Sequence, residues 1–77
     1  MTTIEKLSVG DRARITTFAE ASNAYRRKLL TMGLTPGVEF QITRVAPMGD
    51  PVEIKVRGFS LTLRKEEAAA MNVEKVS

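Results

Sequence analysis

The chain contains no cysteine and no histidine. Without cysteine there is no disulfide, no thiolate nucleophile and no thiol redox chemistry. Without histidine the commonest transition-metal ligand is missing, together with the usual general base near neutral pH and the usual pH switch. Neither a Ser-His-Asp nor a Cys-His set can be assembled. Aromatic residues are few, three phenylalanines and one tyrosine. No apolar run is long enough to cross a bilayer, and no charged start is followed by the apolar stretch of a signal peptide, so the expectation is a soluble cytosolic domain.

What remains is a short, mildly basic chain. Its 77 residues predict one domain spanning residues 1–77. A domain of this size buries only roughly 60% of its unfolded surface, so its core is small. The formal charge is +3 and the sequence pI about 9.7, which permits an acidic partner or nucleic acid without requiring either.

The acids give no catalytic or metal site. Glu66 and Glu67 are neighbours on an expected helix, where adjacent side chains diverge. Asp50 stands between a glycine and a proline and is expected to bond its own loop backbone. Asp11, Glu20, Glu39, Asp50, Glu53, Glu66, Glu67 and Glu74 are scattered without ligand spacing, and soft or borderline metals usually need histidine or cysteine. No glycine pattern resembles a phosphate loop. The expectation is therefore no enzyme, no resident metal and no cofactor.

The chain is organised around the junction Arg26-Arg27-Lys28-Leu29-Leu30-Thr31-Met32-Gly33-Leu34-Thr35-Pro36-Gly37. It reads as a helix end, a turn and a strand start. Gly33 suits the C′ position, where glycine takes the left-handed conformation at little cost, and Leu34 as C″ would fold back on Leu29. Pro36 and Gly37 suit the two central positions of a type II turn. The helix is expected over residues 23–32, with Ser22 as its N-cap and Tyr25, Leu29 and Met32 as an inward stripe.

Alternation places the strands. Residues 12–18 turn Ala13 and Ile15 inward, and residues 38–45 turn Val38, Phe40 and Ile42 inward until a break at Arg44-Val45 that suggests a bulge or strand end. Residues 52–57 and 59–64 make a hairpin about Arg57-Gly58, with Val52, Ile54 and Val56 and then Phe59, Leu61 and Leu63 inward. Between them, residues 46–51 form a loop, since its two prolines, glycine and aspartate cannot sit in a ladder. Ile4 and Leu7 of the lead-in are expected to dock on the core. Residues 65–71 predict one or two helical turns, and residues 73–76 a last short strand. The sum is a mainly β fold: a five-stranded, partly open antiparallel barrel with one inserted helix and a short C-terminal helical turn.

Small barrels often bind nucleic acid, and Arg14, Lys55, Arg57 and Arg64 fall at outward positions. The four aromatics Phe18, Phe40, Phe59 and Tyr25 read as core, and Glu39 and Glu53 dilute a basic track, so nucleic acid is not expected. Two surfaces suit a protein partner. One is the helix face with Arg26, Arg27 and Lys28, bordered by Leu30. The other is Met48, whose alternatives are burial against the barrel end or exposure as an apolar contact on a preordered loop.

The junction above, Arg44-Val45-Ala46-Pro47-Met48-Gly49-Asp50-Pro51, and Val56-Arg57-Gly58-Phe59-Ser60-Leu61-Thr62-Leu63-Arg64-Lys65 with Glu67-Ala68 resemble the ferrous iron transport protein A (FeoA) family. The resemblance covers nearly the whole chain. It implies an SH3-like barrel, similar to the C-terminal domain of iron-dependent repressors. It implies a small cytosolic accessory of the bacterial ferrous iron uptake system, acting with ferrous iron transport protein B, a membrane permease with a cytosolic GTPase domain. On that reading the protein reaches the inner face of the membrane only through its partner, and Arg26, Arg27, Leu30, Met48 and Asp50 are the contact candidates. The alternatives are a stand-alone nucleic-acid-binding barrel and a regulator domain related to the repressor C-terminal domain. Weak self-association is expected, if anywhere, through the last strand.

Overall fold

The computed structural model describes residues 3–19 and 23–76. A 3-10 turn, Ile4–Lys6, leads in, and its Ile4 is buried while Glu5 and Lys6 stay exposed. Five strands follow: β1 (Arg12–Phe18), β2 (Glu39–Val45), β3 (Val52–Val56), β4 (Phe59–Leu63) and β5 (Met71–Val76). Helix α1 (Asn23–Thr31) is inserted between β1 and β2, and α2 (Lys65–Ala69) between β4 and β5. The strands form one antiparallel sheet in the order β4-β3-β2-β1-β5. With β4 and β5 at the two edges, the described residues still measure 27 × 25 × 24 Å, so the sheet is rolled and not flat.

The roll follows from the alternation. Ala13 and Ile15 of β1, Phe40 and Ile42 of β2, Val52, Ile54 and Val56 of β3, Leu63 of β4, and Met71 and Val73 of β5 are all buried together. Each strand has one apolar face, and rolling lets those faces cover one another. Leu29, Leu34 and Ile4 join the same buried cluster. The break at the end of β2 is a register shift between Ile42 and Arg44 against β3.

The junction takes the expected geometry. The Gly33 N–H donates to Leu30 O and the Leu34 N–H to Leu29 O, both at 3.0 Å, which is the paired bonding of a Schellman stop. Gly33 has φ +88°, and Leu34 is fully buried beside Leu29 in the core. The Val38 N–H then donates to Thr35 O at 3.1 Å across Pro36-Gly37, with Gly37 at φ +92°. The β3–β4 turn is tighter still. Arg57 and Gly58 both have positive φ, +49° and +87°, as a type I′ turn requires.

Several expectations are corrected. Tyr25 is not part of an inward stripe; it is exposed, and Leu29 is the buried residue of α1, with Met32 partly covered. Nine residues of helix on a small barrel cover one turn well and leave the amino-terminal turn in solvent. Phe59 is also exposed although Val56 opposite it is buried, because it begins the edge strand next to the turn and has a neighbouring strand on one side only. Phe18 is only partly buried, leaving Phe40 as the one aromatic buried in the core among the described residues. The last strand starts at Met71, two residues before the alternation allowed, and pairs with Phe18 of β1. The proposed N-cap Ser22 lies outside the described residues.

Candidate functional site

The exposed candidates lie on α1 and on the β2–β3 loop. Helix α1 has the sequence Asn23-Ala24-Tyr25-Arg26-Arg27-Lys28-Leu29-Leu30-Thr31, with three cations and no acid. Leu29 anchors it to the core, which turns Leu30 outward. Asn23, Arg26, Arg27 and Leu30 line one shallow hollow of about 310 Å³ on this helix. Arg26 also borders a second hollow, about 410 Å³, between α1 and the end of β1, where its guanidinium stands 5.9 Å from the centre of the Phe18 ring. That distance fits a cation–π contact, which fixes the arginine while leaving its charge accessible. Arg26, Arg27 and Leu30 are thus brought together.

Met48 is the most exposed large hydrophobic of the described residues, at 88%. Its loop is nevertheless held. The Gly49 N–H donates to Ala46 O at 2.7 Å, closing a turn with Pro47 and Met48 at its centre. The Ala46 N–H donates to Pro51 O at 3.1 Å across the base. The Asp50–Pro51 peptide bond is cis. Of the two alternatives for Met48, burial against the barrel end is therefore excluded.

Asp50 corrects another expectation. Its Oδ1 accepts the N–H of Lys65, fifteen residues on, at 3.0 Å, so it supports α2 and not its own loop backbone. Lys65 is the first residue of α2, where amide donors lack helical partners and a carboxylate is favoured. The chain leaves β2 at opposite ends for α1 and for the Met48 loop, so Arg26, Arg27 and Leu30 form one set and Met48 and Asp50 another.

Sequence reasoning missed Glu67 and Lys28 as a pair. Glu67 is buried, at 4% exposure, and its Oε1 accepts the N–H of Arg64 at 2.8 Å while Oε2 pairs with the Lys28 ammonium of α1. The hydrogen bond from Lys28 is the main reason that its carboxyl lies below the ordinary glutamate value; the Arg64 amide and nearby positive charge act the same way, against the opposing effect of burial. The available signal was its place three residues after Arg64, at the N3 position from which a glutamate reaches back to the helix start. Among the described residues no three acids cluster as a metal site would need. No helix among them is long and apolar enough to cross a membrane.

Comparison with known proteins now bears on this geometry. The model of the FeoA domain matches residues 2–75. A Porphyromonas gingivalis protein, described as a fusion of Fe(2+) transport protein A with the Fe(2+) transporter FeoB, is 32% identical over 74 residues. That match takes in 96% of this chain and 9% of the relative's length. The NMR structure of a FeoA-like protein from Clostridium acetobutylicum superposes with a TM-score of 0.89 at 33% identity, covering 99% of this chain and 87% of that one. The crystal structure of Stenotrophomonas maltophilia FeoA, a zinc complex described as an SH3 domain protein, gives 0.79 at 25% identity, covering 96% and 91%. A domain match that runs almost from end to end, on a rolled five-stranded sheet shared with these structures, places the chain in the FeoA family, with an SH3-like fold.

Proposed function

We propose that this protein is a non-enzymatic accessory of ferrous iron uptake that acts by touching the cytosolic part of the transporter FeoB. The observation that carries this reading is the Porphyromonas gingivalis fusion, in which a domain like this chain and FeoB share one polypeptide. Fusion holds two modules at high effective concentration, which is useful when they bind one another. The surface fits such a role. Met48 stands exposed on a hydrogen-bonded loop, and Leu30 stands exposed beside Arg26 and Arg27 on an anchored helix. Exposed apolar groups held before binding, one of them beside two arginines, are good contact elements.

Nucleic acid is a weaker fit. On the outward face of the sheet, Arg12, Arg14 and Lys55 are interleaved with Glu39, Glu53 and Glu74, and Glu39 lies within 3.8 Å of Arg12 and 3.2 Å of Arg14. A basic track for a phosphate backbone would lack those acids. On this reading the protein works in the cytoplasm, at the membrane only through FeoB.

Pull-down from membranes carrying the transporter tests the proposal, with and without guanine nucleotide. Association is expected, and Leu30→Glu or Met48→Glu should weaken it while leaving the fold intact. Absence of association in both nucleotide states, together with normal ferrous uptake in a deletion strain, rejects it.

A further inference from the structure

Two carboxylates meet at the first turn of α2, Asp50 from the β2–β3 loop and Glu67 from the turn itself. Asp50, on the loop that presents Met48, accepts the Lys65 N–H. Glu67, two residues beyond Lys65, accepts the Arg64 N–H and pairs with Lys28 of α1. One five-residue helix is therefore tied on one side to the Met48 loop and on the other to the helix that carries Arg26, Arg27 and Leu30. This helix is itself firmly seated. Glu67 and Ala68 are buried, α2 packs against the Ile4 turn, and the carbonyl of the adjoining Ala70 accepts the Ala19 N–H at 2.8 Å.

The relation is not dictated by the sheet. Residues 32–45 lie between the end of α1 and the loop, and β2 alone spans about 20 Å of them. The ladder holds the base of the loop through Ala46 and Pro51, and the core holds the end of α1 through Leu29 and Leu34, but neither joins the loop to the helix directly. The α2 contacts do. All three are charge-assisted or end on a backbone amide, and the two carboxylates meet a helix start where negative charge is favoured.

We infer that the first turn of α2 positions the Met48 loop and α1 relative to one another, so that the two form one composite docking surface for a protein with apolar sockets bordered by acids. Asp50, Lys28 and Glu67 are then positioning residues. They shape the surface and need not touch the partner. The composite surface rests on the contact reading above, but the coupling can be measured without any partner.

The test is amide hydrogen exchange by NMR on the full chain. The Ala46 and Gly49 amides report the loop, and the Met32 and Leu34 amides report the end of α1, since each donates a hydrogen bond there. The variants are Lys28→Gln, Asp50→Ala, their combination, and Asp50→Asn, which keeps an acceptor oxygen. Lys28→Gln removes the cation that faces the buried Glu67 carboxylate but keeps an amide donor there, and the Arg64 N–H still bonds the other carboxylate oxygen. Lys28→Gln should speed exchange at Ala46 and Gly49 by about threefold to tenfold, and Asp50→Ala should do the same at Met32 and Leu34. The double variant should depart from the product of the single effects, and Asp50→Asn should restore protection. Effects confined to each variant's own element, and multiplying in the double, would overturn the inference. With FeoB present, Asp50→Ala should weaken association and Asp50→Asn restore it. Binding without coupled exchange overturns the positioning role alone; coupled exchange without binding supports the positioning role and rejects the contact reading.

Discussion

Lys28 on α1 and Glu67 on α2 form an ion pair in which one partner is in solvent and the other is not: the lysine side chain is 61% exposed and the glutamate side chain 5%. Glu67 is the one buried polar or charged residue that the described core contains. Its second oxygen is taken by the Arg64 amide, so no lone buried charge results.

Stability should therefore fall in acid in a way that depends on this residue. The folded carboxyl titrates below its ordinary value of 4.5, so its contribution is fully present above that pH and is lost as pH falls through the depressed value. Urea unfolding at pH 7 and pH 3 should show a smaller loss for Glu67→Gln than for the natural chain. At pH 7 the same variant should cost about 1 kcal/mol, since the amide can still accept from Arg64 and the exposed lysine can turn to water.

Gly33→Ala isolates the Schellman stop. A Cβ at Gly33 meets no atom within 4 Å, so the penalty is conformational and not steric crowding by neighbours. Holding an L-residue at φ +88° should cost about 1–2 kcal/mol. In a domain this small each kcal/mol lowers Tm by about 4–8 °C, which calorimetry resolves. An unchanged Tm would mean that the turn relaxes to another geometry.

Exposed and buried apolar groups near the junction should separate cleanly. Met48→Glu and Leu30→Glu should shift unfolding free energy by no more than about 0.5 kcal/mol, because neither side chain is in the core. Leu34→Ala, at a fully buried position, should cost about 2–5 kcal/mol. Denaturant unfolding of all three distinguishes loss of contact from loss of fold in any binding experiment.

Ferrous iron itself should not bind tightly. With neither histidine nor cysteine in the sequence, and no cluster of three acids among the described residues, anaerobic calorimetry with Fe(II) should show no one-to-one site of micromolar affinity or better. Such a site would overturn this expectation and move attention to carboxylates.

The parts of the fold that were legible in the sequence rest on short-range rules. Gly33 and Leu34 could be assigned because a helix stop uses adjacent residues, and Arg57-Gly58 because a two-residue hairpin needs positive φ. Alternation found the buried residues of β1, β2 and β3. Tyr25 and Phe59 escape these rules because alternation and helical spacing give a direction, not the cover waiting there: Tyr25 is on the solvent-facing first turn of α1 and Phe59 on an edge strand. The candidate site was less legible. Lys28 and Glu67 are far apart in sequence, as are Asp50 and Lys65, and pairs of that kind depend on how α2 returns across the barrel. A charge run on α1 gives no sign that Lys28 meets a buried carboxylate and Arg26 the Phe18 ring.

The position of Met48 also has a chemical side. Of the methionines described, Met71 is fully buried, Met32 is partly covered, and Met48 meets solvent over most of its surface. Of these three thioethers it is the first that peroxide reaches, and ferrous iron in the presence of oxygen is a source of such oxidants. Conversion to the sulfoxide would replace an apolar tip by a polar one while leaving the sheet and both helices untouched, and the change is chemically reversible by reduction.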